Sequence, residues 1–178
     1  MKLEYAQMIA RQVQEKLAPF CEKIEIAGSI RRRRPWVNDI DIVAIPSNQG
    51  QFVYHLQQLG SFKVSGGKLI RVTHRYNASE PLVELDIYIA TPETWATLLL
   101  IRTGSREHNI YLCKRAISMD LRLHADGSGL FRLGGMVATK DAADGDREEI
   151  RIAGDTEESI FEALGLKYKR PEEREIKR

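Results

Sequence analysis

Apolar residues recur every three or four positions from Leu3 through Ala6, Ile9, Ala10 and Val13 to Leu17, the pattern of a helix that buries one face. Pro19 is expected to end it. The period then shortens to that of strands. Residues 24–27 form a first strand that delivers Gly28-Ser29, and 31–35 make a short connection. Residues 39–45 go acid, apolar, acid, apolar and then continuously apolar, which predicts a strand with Asp39 and Asp41 on one face. A second helix is expected over 52–59, closed by Gly60. Strand resumes over 63–76 with a Gly66-Gly67 turn, and again over 81–89, where Asp86 sits between Leu85 and Ile87.

Beyond Pro92 the spacing turns helical, with Trp95, Leu98 and Leu99, until Thr103-Gly104-Ser105 interrupts it. A further helix is predicted over 107–119. Its Ile110, Cys113 and Ile117 would face the core, and Lys114 and Arg115 the solvent. Residues 121–124 and 130–133 flank Asp126-Gly127-Ser128-Gly129 as a hairpin. An acidic surface loop is expected over 141–149. Asp155-Thr156-Glu157-Glu158 caps a last helix that Gly165 closes.

These elements predict an α+β fold: a mixed sheet flanked by helices in residues 1–92, then a small α+β subdomain over 93–178. A chain of 178 residues, 43% hydrophobic and 29% charged, suits one compact unit or two small lobes. Cys21 and Cys113 have neither metal-ligand spacing nor His companions, so both are expected as buried, reduced thiols. His55, His74, His108 and His124 are scattered and draw no chemistry. No apolar run is long enough to cross a bilayer, and an intracellular monomer off the membrane is expected.

Net charge is only +2, but it is unevenly spread. Residues 1–92 carry 12 Lys and Arg against 9 Asp and Glu, and residues 93–178 carry 15 against 16. No acid occurs between Asp41 and Glu80, where Lys63, Lys68, Arg71 and Arg75 fall, downstream of the run Arg31 to Arg34. Such a basic face beside carboxylates suits a phosphate backbone. A solvated sheet edge would carry the same residues.

Asp39 and Asp41 on one strand face lie about 6.5–7 Å apart at the backbone and repel each other without a counter-charge. A divalent cation such as Mg²⁺, held by carboxylates and completed by water and phosphate, relieves that repulsion. Asp86 supplies a third carboxylate from a second apolar strand. Gly28-Ser29 with Arg31 and Arg32 offers amides, a hydroxyl and guanidinium donors to a phosphate chain. The plainer alternative is a solvated acidic face. Trp36 fits a packing anchor or a base-stacking surface.

These residues resemble the polymerase beta superfamily of nucleotidyltransferases, the family X DNA polymerases. The likeness extends to Ile101-Arg102-Thr103-Gly104-Ser105-Arg106-Glu107-His108-Asn109, similar to that family's T-G-S turn. It also extends to the C-terminal stretches 152–158 and 171–175. The resemblance implies a metal triad of Asp39, Asp41 and Asp86, with Asp86 on the side of the primer 3′ hydroxyl. It implies triphosphate contacts at Gly28, Ser29 and Arg32, sugar contacts at Gly104 and Ser105, and a base contact at Asn109. Two Mg²⁺, or Mn²⁺ in their place, are the implied cofactors. Deoxynucleoside triphosphates and gapped or primer–template DNA are the implied partners, in templated gap filling for DNA repair.

Lobes that carry lyase, extra DNA-binding or phosphoesterase functions in longer relatives have no counterpart in this sequence. Neither lyase nor nuclease activity is therefore expected, and DNA grip should be weak and salt-sensitive, with an accessory protein as one source of further grip. The D-x-D alone would equally admit template-independent or RNA-directed nucleotidyl transfer, or a binding module without activity. Where most relatives place an aromatic residue before the T-G-S turn, this chain has Ile101 and Arg102.

Overall fold

The computed structural model describes residues 1–77, 81–136 and 147–176. Helix α1 (Leu3–Leu17) buries the predicted stripe, and Pro19 lies in a short 3₁₀ turn after it. Strand β1 (Cys21–Ile26) leads to a one-turn helix α2 (Gly28–Arg31), so Gly28 and Ser29 open a helix where a plain turn was expected. Then follow β2 (Ile40–Pro46), α3 (Gln49–Gln57), β3 (Gly60–Ser65), β4 (Leu69–His74) and β5 (Val83–Ile89). Asp39 stands just ahead of β2 instead of within it. Gly60 does not close α3 but starts β3, where a Cβ would overlap the Thr73 carbonyl of the paired strand.

The five strands lie in the order β1-β2-β5-β4-β3, with only the β2–β5 pair parallel. One face of the sheet carries Ile40, Ile42 and Ala44 of β2 and Leu85 and Ile87 of β5, packed with Ala6, Ile9 and Val13 of α1 and Phe52 and Leu56 of α3. The opposite face is covered only in part. Val43 and Ile45 meet Leu98 and Leu99 of helix α4 (Trp95–Thr103), and beyond that cover stand Asp41 and Asp86. Period-2 alternation sends the carboxylates to the less covered side while the β-branched neighbours fill the core.

Helix α5 (Arg106–Ile117) starts at Ser105, whose Oγ accepts the His108 amide. A three-stranded antiparallel sheet follows, β6 (Leu121–His124), β7 (Gly129–Met136) and β8 (Arg147–Ala153). Strand β8 overturns part of the acidic loop expected over 141–149, since residues 147–149 pair with β7. The remainder of that stretch lies outside the described residues. Helix α6 (Glu157–Ala163) is capped by Thr156 in a reciprocal box with Ser159, not with a glutamate. The second core joins Leu100, Leu112, Ala116, Leu123, Leu130, Ile160 and Phe161.

The stripe expected to face inward on α5 does the opposite. Ile110 and Ile117 are 43% and 70% exposed, and His108, Leu112 and Ala116 fill the core. Arg115, expected in solvent, is half-buried and donates to the Leu164 carbonyl at the end of α6 (3.0 Å). Cys21 and Cys113 are free thiols as expected, but half-buried. Burial pushes the Cys21 thiol up to about 11, which keeps it a poor nucleophile. No helix among the described residues is long and apolar enough to cross a membrane.

Candidate active site

Strands β2 and β5 run parallel with Asp41 directly beside Asp86. Neighbouring strands are about 4.8 Å apart, so two carboxylates at one register position on the same face are forced together. Burial raises the Asp41 carboxyl to about 7, and the charges of Asp39 and Asp86 push the same way; a hydrogen bond from Tyr88 and the charge of Arg32 oppose them only in part. The result is a cluster of acids that lacks enough positive charge. All three groups are hard oxygen donors, the kind Mg²⁺ selects.

Among the described residues no three His, Cys, Asp or Glu side chains are gathered tightly enough to hold an ion by themselves. An ion here would complete its shell from water and substrate phosphate, as Mg²⁺ commonly does. Asp86 is the most constrained of the three. It is 3% exposed, and Arg71, its cross-strand partner on β4, grips both of its oxygens at 2.6 Å. Oδ1 keeps a further lone pair, while Oδ2 also accepts from the Tyr88 hydroxyl at 3.4 Å, so these bonds orient Asp86 without saturating it.

Gly28 is required by contact as well as by conformation. Its φ is +57°, and a Cβ there would overlap the Asp41 carboxylate. The backbone at the head of α2 thus lies directly against the acid. Beside it the Ser29 hydroxyl is buried with no hydrogen-bond partner. Both line a groove of about 680 Å³, together with Asp39, Asp41, Arg32, Arg34 and Trp36 on one wall and Arg102, Gly104, Asn109, Ile110, Cys113 and Ile117 on the other. That volume lies within the range of small-molecule sites, roughly 300–1,000 Å³. The exposed stripe of α5 therefore forms one wall of the groove, which explains why it looked like a core stripe in sequence.

Not every expected residue enters the groove. Ser105 is buried, donates to the Arg174 carbonyl (2.8 Å) and caps α5, so its hydroxyl is committed to the backbone. Asn109 lines the groove but donates its Nδ2 to the Ile101 carbonyl (2.8 Å). Gly104 also lines it, with φ +69° and a cis bond to Ser105.

The run Arg31 to Arg34 is not the free basic surface expected. Arg31 donates to Glu157 (2.6 Å) and Thr103 Oγ1 (2.8 Å), Arg33 pairs with Glu172 (3.3 Å) and Arg34 with Glu175 (3.6 Å). Arg32 Nε donates to Glu175 (2.7 Å) and its Nη1 to the Thr103 carbonyl. Lys63 and Lys68 likewise pair with Glu84 and Asp126. Glu157 joins Arg31 to Arg174, whose fully buried guanidinium donates to it at 2.8 Å and 3.3 Å. Burial alone would raise the Glu157 carboxyl, but its hydrogen bonds from Arg174 and Arg31 hold it below the usual range.

Sequence reasoning missed Arg71, Tyr88 and Glu157. Arg71 acts through cross-strand register, which the chain does not display, whereas Tyr88 stands two residues after Asp86 on one strand face, a spacing the sequence does carry. For Glu157 the signal was an acid at the first position of a capped helix, where it is commonplace.

Residues 98–175 match the sequence model of the DNA polymerase beta thumb. The DNA polymerase/3′-5′ exonuclease PolX of Bacillus subtilis strain 168 is 32% identical over 111 residues, 60% of this chain and 19% of the relative. The chain thus spans about a fifth of that curated relative's length. Among solved structures, Leishmania infantum polymerase beta in a ternary P/T complex aligns over 99% of this chain and 77% of its own, with TM-score 0.76 and 23% identity. Its ternary gap complex aligns over 99% and 71%, with TM-score 0.77 and the same identity. At that identity the likeness speaks for the fold, and the thumb match and the PolX identity speak for descent. By thumb match, PolX similarity and fold together, the chain is similar to the polymerase beta-like family X of DNA polymerases.

Proposed function

We propose that the chain is a template-directed DNA polymerase that adds deoxynucleotides to a primer 3′ hydroxyl in short gaps. The observation that carries this reading is the Asp41–Asp86 pair, side by side in parallel register, with Asp41 under-neutralised and lining a groove that also holds the unpartnered Ser29 hydroxyl. Family X polymerases generally use divalent metals, and the similar solved structures are a ternary P/T complex and a ternary gap complex. Residues 1–92 then serve as the palm and 93–178 as the nucleotide- and template-binding lobe.

In this reading Asp39, Asp41 and Asp86 hold two divalent cations, Mg²⁺ or Mn²⁺. When bound, the pair of ions would supply Lewis acidity that lowers the pKa of the 3′ hydroxyl and neutralises the departing pyrophosphate. The residues of the chain do the positioning. Ser29 donates its free hydroxyl to the triphosphate, and the Gly28 backbone, lacking a side chain, lets the phosphate approach Asp41. Arg32 exchanges Glu175 for phosphate oxygens. Gly104 lies against the sugar and Asn109 against the base. The wall of α5 excludes water from one side of the groove, which strengthens every charge interaction within. Such substrates place its work inside a cell.

Extension of a labelled primer on gapped, recessed and single-stranded DNA, with Mg²⁺ or Mn²⁺, tests the proposal. Template-directed incorporation on gapped and recessed substrates is expected. Incorporation only on the single strand, independent of template, would replace it with the template-independent alternative.

A further inference from the structure

Tyr88 stands two residues beyond Asp86 on β5, on the same face of the sheet, and its hydroxyl donates to Asp86 Oδ2 at 3.4 Å. That oxygen is the one Arg71 Nη2 holds from the other side. The hydroxyl is also close enough to Asp41 to favour its charged form. One phenol therefore borders both carboxylates of the parallel pair. The ring itself is fixed. The Arg102 guanidinium stacks on its face with Cζ 4.3 Å from the centroid, and the ring packs against the small core under α4. Arg102 Nε is buried with no hydrogen-bond partner, so the stack on Tyr88 is the contact that accounts for where this side chain lies.

We propose that Tyr88 is a positioning residue that holds Asp41 and Asp86 in the orientation needed to bind a divalent cation, with Arg102 clamping the tyrosine ring. The inference deepens the metal-dependent reading above and rests on it. Its physical content is that side-chain oxygens bind a cation well only when their orientation is fixed beforehand by hydrogen bonds to groups outside the coordination shell. Asp86 has two such partners, Arg71 and Tyr88, and Asp41 lies against the backbone of Gly28. Arg102 at the position before Thr103 thus has a use that an apolar residue would not supply. It keeps the phenol between two acids that repel each other.

Mn²⁺ binding to the metal-free protein, without nucleotide or DNA, is measured by calorimetry for the parent, Tyr88→Phe, Arg102→Lys and Asp41→Asn. Tyr88→Phe keeps the ring and the fold, which a thermal melt verifies, and is expected to weaken Mn²⁺ binding about ten- to hundredfold. Arg102→Lys keeps the charge but loses the planar stack, and is expected to weaken it about two- to tenfold. In primer extension the half-saturating metal concentration of Tyr88→Phe should rise while the nucleotide KM stays near the parent value. A folded Tyr88→Phe that binds Mn²⁺ within about twofold of the parent, while Asp41→Asn loses binding, overturns the positioning role and leaves the metal reading standing. If Asp41→Asn binds as the parent does, the metal reading itself fails and takes this inference with it.

Discussion

Removing the Glu157 charge should cost a large part of the protein's stability. Glu157 is 6% exposed and Arg174 is fully buried, and the two share bonds of 2.8 Å and 3.3 Å while Arg31 donates to the same carboxylate at 2.6 Å. Among hydrogen-bond acceptors of the described residues, Arg174 keeps the Lys169 carbonyl and the Tyr168 hydroxyl when Glu157 is neutralised. Neither carries a charge. Taking away one partner of a buried pair costs about 3–5 kcal/mol, because the other charge is left desolvated. Against a total stability of about 5–15 kcal/mol this is severe. For a chain of this length it lowers Tm by roughly 6–20 °C.

The assay is urea unfolding of Glu157→Gln followed by circular dichroism, with the slope compared to the parent so that a shift in midpoint reads as stability. The double variant Glu157→Met with Arg174→Leu removes both charges and should recover much of the loss. The pH dependence has a definite sign. Because the folded protein holds Glu157 below its ordinary value of 4.5, the parent enjoys this stabilisation above that pH. It loses it as pH falls through the folded value, since protons then favour the unfolded chain. Glu157→Gln should lack this acid-dependent decline. A loss under about 1 kcal/mol at pH 7 would refute the reasoning, because the network would then be no better than a surface pair.

Asp41→Asn and Asp86→Asn should each abolish nucleotide addition by orders of magnitude with the fold retained, as read by primer extension and circular dichroism; near-parent rates would remove both from the site. Asp41→Asn should also stabilise the metal-free protein at pH 8 and not at pH 4, since the carboxyl is raised to about 7 and its ionisation above that costs folded-state stability. Thermal melts at the two pH values check this. Glu175→Gln frees Arg32 from a partly exposed pair and should lower the nucleotide KM up to about fivefold, the scale of 1 kcal/mol; an unchanged or higher KM would mean that Arg32 does not bind the triphosphate. With Ile101 and Arg102 ahead of Gly104, where relatives carry aromatics, discrimination against ribonucleotides should be weak, about ten- to thirtyfold for a clash of one or two kcal/mol. Competition of dNTP with rNTP on one gap, for the parent and Arg102→Phe, measures it, and several-thousandfold selectivity in the parent that Arg102→Phe leaves unchanged would contradict it.

Local periodicity was enough to locate nearly every helix and strand, because alternation and three-to-four spacing are properties of consecutive residues. It also put Asp39, Asp41 and Asp86 among β-branched neighbours, where a charged group is conspicuous. What it could not supply was direction and partnership. Ile110, Cys113 and Ile117 form a helical stripe whether they face a core or a groove, and only the packing of Leu112 and Ala116 against α6 decided which. Arg31 to Arg34 look like a phosphate-binding run until the chain's end brings Glu157, Glu172 and Glu175 against them, more than a hundred residues later. Arg71 and Asp86 meet because β4 and β5 pair in one register, and a slip of a single residue would have turned Arg71 to the other face. Charges and stripes are written in the sequence, but which charge neutralises which, and which stripe stays open, follow from contacts that exist only once the two sheets and their helices have packed.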